Sequence, residues 1–245
     1  MIRILGVIPA RYASSRFPGK PLVDIKGKSM IQRVYEQCLK AKLLDNVIVA
    51  TDDERIFETV VAFGGKAIMT SSSHHSGTDR CFEALSKLNS TYQYVINIQG
   101  DEPVIDPGQI DLLTNLLDGK TELATLVKGL ENIEELHDPN VVKVVFDVNN
   151  QALLFSRSTI PHVQNTPQNQ WLKHNTFYKH IGIYGYRSDI LTSITKLKPS
   201  TLELSESLEQ LRWLQNGYTI KVAETHQESI GIDTPKDLEK LKGLI

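Results

Sequence analysis

Along the chain, short apolar runs alternate with stretches in which apolar residues recur every three or four positions. Residues 4–9 precede a helical pattern over 30–41, residues 47–50 precede one over 54–63, and residues 94–98 precede one over 110–117. This rhythm predicts strand, helix, strand units around a mostly parallel central sheet, an α/β fold. Runs 47–50 and 95–98 are rich in β-branched residues and lack polar alternation, as expected of interior strands covered on both faces. Each ends in polar residues: Thr51, Asp52 and Asp53 after the first, Gln99, Gly100 and Asp101 after the second. Ligands of open α/β sheets gather at the carboxyl ends of strands, so a site is expected there.

Between 156 and 178 the pattern loosens into a polar stretch containing Pro161, Pro167 and several Asn and Gln, which predicts a loop or flap. Strand character returns in KHIGIYGYR (179–187) and over 218–222, and Thr234-Pro235 opens a terminal helix with an N-cap and a first-turn proline. No repeat, low-complexity tract or linker divides the sequence. A single domain over 1–245 is expected, with 156–178 as a flap or loop insertion.

At 245 residues and 40% hydrophobic content the chain is long enough to bury a substantial core. Its 27 Lys and Arg nearly balance 29 Asp and Glu, so no global field draws it onto nucleic acid or an anionic membrane, and a small-molecule ligand is the expectation. Cys38 and Cys81 lie in helical patterns and form no CxxC pair, which reads as two reduced core thiols. No apolar run approaches the roughly 18 residues needed to cross a bilayer, and the first residues run straight into a strand without a signal-peptide pattern. The expected location is the cytoplasm.

Four segments carry candidate chemistry. Residues 9–22, PARYASSRFPGKPL, place Arg11, Arg16 and Lys20 among small residues directly after the first strand, an arrangement that can cradle a polyphosphate. The segment is neither a Walker loop nor a GxGxxG turn; an ordinary solvated basic loop is the plainer alternative. In Gln99-Gly100-Asp101-Glu102-Pro103, Asp101 ends a buried strand and can hold Mg²⁺ with positions left for phosphate oxygens, or can merely cap a turn. Asp233, before Thr234-Pro235, can complete such a site or serve helix entry. In HHSGTDR (74–80), Ser76, Gly77 and Thr78 suggest a helix N-terminus facing an anion or a plain cap, and the adjacent histidines lack zinc-site partners. Together, cations for phosphates and two strand-end acids suit nucleotidyl transfer. Arg157, His180, Glu209 and Gln210 each fit substrate binding or a structural role.

IPARYASSRFPGKPL, VATDDERI, HHSGTDR, NIQGDEP, PNVVKVV, FSRSTIP, KHIGIYGYR, LEQLR and IDTPKDLE occur in one order that spans nearly the whole sequence. In this the chain resembles the CMP-Kdo synthetases, or 3-deoxy-manno-octulosonate (Kdo) cytidylyltransferases. The resemblance implies a Rossmann-like nucleotidyltransferase fold with a small flap or dimerisation region, a homodimer, CTP and Kdo as substrates, Mg²⁺ as cofactor and a product destined for lipopolysaccharide. It implies that Arg11, Lys20 and Asp101 are catalytic, that Arg11, Arg16, Lys20, Ser76, Thr78 and Arg80 bind the nucleotide, and that Asp101 and Asp233 bind the metal. Gln99, Arg157, His180, Tyr186, Glu209 and Gln210 are implied for the sugar acid. Sugar-nucleotide pyrophosphorylases carry a glycine-rich GxGTR-type loop where this chain has Ala10 to Arg16. Alternatives are an 8-amino-Kdo or sialic acid cytidylyltransferase and, in another class, a noncatalytic nucleotide-binding module.

Overall fold

The computed structural model describes residues 2–13 and 17–245. The first strand, β1 (Ile4–Ala10), is followed by a small antiparallel hairpin, β2 (Asp24–Ile25) and β3 (Lys28–Ser29). Ser29 caps α1 (Met30–Cys38), its hydroxyl accepting the Gln32 N–H. The units expected from the sequence continue as β4 (Asn46–Thr51), α2 (Glu54–Ala62), β5 (Ala67–Met69), α3 (Gly77–Ser86), β6 (Tyr94–Asn97) and α4 (Pro107–Thr114). Asp53 caps α2, Ser76 caps α3, and Asp106 caps α4. These short polar side chains satisfy amides that the first helical turn leaves unpaired.

The second half holds β7 (Leu123–Gly129), α5 (Ile133–His137), β8 (Lys143–Phe146), β9 (Ala152–Ser156), α6 (Trp171–His174) and β10 (Tyr178–Arg187). It closes with α7 (Ser188–Ile194), α8 (Thr201–Glu206), α9 (Gln210–Gln215), β11 (Ile220–Glu224) and a 3-10 helix over Pro235–Leu241. The sheet runs β11-β7-β10-β6-β1-β4-β5, with β8 and β9 branching from β10. Pairings among β6, β1, β4 and β5 are parallel, as is β11 with β7. By contrast, β10 runs antiparallel to both neighbours.

Side-chain alternation divides the apolar residues between the two sheet faces. Leu5, Val7, Ile48 and Val95 join one core with Trp213 and Leu191; Ile4, Ile8, Val49 and Ile96 join the other with Ile31, Val34 and Ile110. Helices cover both faces, which explains why β6 is buried throughout. Cys38 and Cys81 are buried, and burial pushes both thiols far up. Within 156–178 the chain forms α6, whose Trp171 packs on Leu130, Leu136 and Phe177 and donates its Nε1–H to Thr166 O at 2.9 Å.

Candidate active site

The parallel strands β1, β4 and β6 end at one edge of the sheet. Gly100, after β6, passes so close to β1 that a Cβ would stand 2.9 Å from Pro9 O, so only glycine fits without moving one strand end. Arg11 leaves β1 at this edge and is exposed. Lys20 returns to it because Gly19 adopts a left-handed conformation (φ 70°) and donates its N–H to Tyr12 O at 3.0 Å. The Lys20 ammonium lies 2.5 Å from Asp101 Oδ2 and 3.6 Å from Asp233 Oδ1. Asp233 reaches this point because the preceding residue, buried Ile232, donates its N–H to Asp101 O at 2.9 Å. Thr234 then starts the terminal helix with a capping box to Asp237. Asp233 thus follows a residue tied to the Asp101 loop and precedes a helix entry.

These residues open on a cavity of about 360 Å³. Arg11, Lys20, Ser76, Arg80, Gln99, Asp101, Tyr186, Glu209 and Asp233 all line it. Arg80 is nearly inaccessible, and its charge is matched by Asp52 Oδ2 at 3.2 Å and by donation to Thr70 Oγ1 at 2.5 Å. Thr78 lies beneath the floor, donating to Glu209 Oε2 at 2.6 Å and meeting the Tyr186 hydroxyl at 3.3 Å. Asn97 Nδ2 also donates to that hydroxyl at 3.3 Å. Burial raises the Glu209 carboxyl, against the lowering effect of Thr78 and Arg212, and pushes the Tyr186 phenol well up. Tyr186 is therefore a neutral donor and acceptor at any physiological pH.

Asp101 and Asp233 also line a second cavity of about 420 Å³, together with His180, Lys179 and Glu102. The His180 Nε2 is 3.0 Å from Thr125 Oγ1, whose proton goes to Ile183 O at 2.7 Å. Burial holds the imidazole down to about 4, so it is neutral at pH 7. Burial, assisted by neighbouring Asp101, raises Glu102 to about 7. Gln99 fixes the boundary between the cavities by donating to Gly182 O at 2.6 Å, where β10 slips register against β7.

The structure thus gathers Arg11, Lys20, Ser76, Arg80, Gln99, Asp101, Tyr186, Glu209 and Asp233 around one cavity, with Thr78 beneath it and His180 in the adjoining one. Arg157 and Gln210 line neither: Arg157 donates to Glu206 O and Pro139 O, and Gln210 is buried in the first turn of α9. Arg16 lies outside the described residues. Sequence reasoning did not single out Asn97, Tyr184 or Glu102 for the site, nor Asp52 as the partner of Arg80. Asp52 was visible as a strand-end acid, whereas Asn97 and Tyr184 sit within strands whose pattern announces only burial.

Asp101 and Asp233 both reach one ammonium, so their oxygens face a common point. Two hard carboxylates with space beside them fit Mg²⁺, which completes its octahedron with water and phosphate oxygens. Among the described residues, no group of three or more His, Cys, Asp or Glu side chains gathers as a metal cage. No helix among them is long and apolar enough to cross a membrane.

A family model described as cytidylyltransferase matches residues 5–230. A 3-deoxy-manno-octulosonate cytidylyltransferase of Parabacteroides distasonis is 56% identical, covering 98% of this chain and 97% of its own. Its counterpart in Cytophaga hutchinsonii is also 56% identical, over 97% of this chain and 95% of its own. A solved CMP:2-keto-3-deoxy-manno-octonic acid synthetase complexed with CTP superposes with a TM-score of 0.91 at 44% identity, covering 99% of this chain and 98% of that one.

Proposed function

The chain belongs to the 3-deoxy-manno-octulosonate cytidylyltransferase family, and from that premise we propose that it activates Kdo with CTP, giving CMP-Kdo and pyrophosphate for lipopolysaccharide biosynthesis. The observation that carries the catalytic reading is the Lys20 ammonium held between Asp101 and Asp233, beside Arg11, at the carboxyl edge of the sheet. In this reading the triphosphate lies over Arg11 and Lys20, with Ser76 and Arg80 against the nucleotide and Thr78 setting the floor, and Arg16 keeps the nucleotide-binding role that the family resemblance implies. The sugar acid occupies the space where the two cavities meet, reached by Gln99, Tyr186, Glu209 and His180. Arg157 stands outside both cavities, where it holds Pro139 O.

The anomeric hydroxyl oxygen of Kdo bonds to the α-phosphorus of CTP as the bond from that phosphorus to the bridging oxygen breaks; pyrophosphate departs and the hydroxyl proton is released to solvent. Negative charge grows on the leaving oxygens. Lys20, held by Asp101 and Asp233, faces that charge from a fixed position and Arg11 adds a second cation, so their donors stabilise the transition state more than the bound substrate. Mg²⁺ held by Asp101 and Asp233 supplies further positive charge to the phosphate oxygens when bound. Gln99, fixed on Gly182, and neutral His180, fixed on Thr125, orient sugar hydroxyls without adding charge. A cytoplasmic homodimer completes the proposal and rests on the family resemblance; sedimentation of the purified chain tests the dimer.

The test is pyrophosphate release by purified protein with CTP and Mg²⁺, comparing Kdo, 8-amino-Kdo and N-acetylneuraminate, with UTP in place of CTP as a control. Release with Kdo and CTP is expected. Preference for another sugar acid keeps the chemistry and moves the substrate. No release from folded, CTP-binding protein with any sugar overturns the enzyme in favour of a nucleotide-binding module.

A further inference from the structure

Lys143, the first residue of β8, has no exposed surface. An ammonium is costly to bury, and burial pushes Lys143 below the usual lysine range, so the fold must compensate it. Its Nζ donates to Asp138 O at 2.9 Å and to Val141 O at 2.6 Å. Arg157 stands just beyond Ser156, the β9 residue that pairs in register with Lys143. It donates Nη1–H to Pro139 O at 2.9 Å, while its Nε and backbone N–H bonds to Glu206 hold it in place. One residue beyond Val141, Val142 O accepts the His180 N–H at 2.9 Å. Two cations and one amide of β10 therefore collect four carbonyls within residues 138–142. The same segment supplies Asn140, Val141 and Val142 to the lining of the second cavity, alongside Asp101, Asp233 and His180.

An irregular segment left to itself exposes its carbonyls to water and moves with them. Here two carbonyls turn inward onto the buried Lys143 ammonium and two more are held by half-buried Arg157 and the His180 amide, which leaves the apolar Val141 and Val142 and the polar Asn140 presented to the cavity in one arrangement. Lys143 touches neither cavity, so its effect passes through this wall. We propose that Lys143 is a positioning residue: by holding the carbonyls of Asp138 and Val141 it fixes segment 138–142 as the wall against which the polar sugar acid is seated. The proposal rests on the cytidylyl-transfer reading given above.

The test compares wild type with Lys143→Met, which keeps length and apolar volume and removes the donors. Amide hydrogen exchange at residues 140–142 is expected to accelerate by about tenfold or more, while amides of β1 and β6 hold their rates. In steady-state pyrophosphate release, KM for the sugar acid is expected to rise about tenfold, with KM for CTP and kcat each within about threefold of wild type. Lys143→Gln, which retains a shorter donor, is expected to fall between the two and serves if Lys143→Met fails to fold. Unchanged exchange at 140–142, or KM for CTP rising in step with that for the sugar, overturns the proposal. A wild-type protein that releases no pyrophosphate with any sugar acid overturns instead the reading on which it rests, and the exchange data then judge the clamp alone.

Discussion

Replacing Lys20 by Met tests the reaction centre most directly. The methionine keeps most of the side-chain volume and removes the cation that stands 2.5 Å from Asp101 and 3.6 Å from Asp233. For stability, the effect is small: Asp101 and Asp233 are 28% and 49% exposed, so solvent screens the lost pair and the fold should lose no more than about 1 kcal/mol. For catalysis, the effect is large, because a positioned donor facing developing charge contributes about 3–4 kcal/mol, or roughly 10²–10³ in kcat. The two consequences separate cleanly in one preparation. Thermal unfolding reports the first, and initial rates of pyrophosphate release over a matrix of CTP and Kdo concentrations report the second. KM for Kdo should stay within about threefold, since Lys20 acts on the leaving phosphates and not on the sugar. A variant whose kcat lies within about threefold of wild type refutes the reasoning, because Lys20 would then be a structural counter-ion to two acids and nothing more.

Other expectations follow from the same geometry. Chelation by EDTA should abolish pyrophosphate release and added Mg²⁺ should restore it; Asp233→Asn should shift the Mg²⁺ requirement upward by about tenfold or more in a metal titration, as expected on losing one of two carboxylate ligands. His180 is depressed to about 4 by burial, so folding favours its neutral form. Its contribution is therefore complete above the unfolded value near 6.5 and is lost as pH falls from there toward 4, by at most about 3 kcal/mol. Denaturant unfolding of His180→Gln should show a flatter stability profile across that window, and parallel profiles would contradict the assignment. Gly100→Ala places a methyl group 2.9 Å from Pro9 O and must displace one strand end, so a loss of about 1–3 kcal/mol and a fall in kcat are expected from calorimetry and rate measurements.

The half of the fold built from parallel strands was legible because each unit declares itself locally. The middles of β1, β4 and β6 are apolar without alternation, their helices begin at short polar caps, and the acids and cations after the strands mark the edge where a ligand belongs. What the pattern does not carry is partnership at long range. Asp52 reads as one of two strand-end acids, yet Asp53 caps α2 and pairs with Arg55 while Asp52 matches the buried charge of Arg80. Arg157 reads as a free cation for a substrate carboxylate, yet its donors end on Glu206 and Pro139. In each case the residue type announces a charge to be matched, and only the fold decides what matches it. The polar composition of 156–178 similarly conceals Trp171, whose burial against Leu130, Leu136 and Phe177 depends on chain far away in sequence.

The direction of β10 accounts for the two cavities sharing a wall. In a wholly parallel sheet, residues at the start of a strand lie at the edge opposite the ligand, so His180 would be remote from Asp101. Because β10 runs antiparallel to β6, Tyr184 pairs with Asn97, and the chain that continues past Asn97 meets the beginning of β10. Gln99 consequently reaches Gly182 O, and His180 lies with Asp101 and Asp233 along one cavity. The reversal brings neutral hydrogen-bonding groups from a strand start up to charged groups from strand ends. A nucleotidyl transfer needs both kinds of surface side by side: fixed charge where the phosphates separate, and uncharged donors and acceptors where a polyhydroxylated acid is oriented.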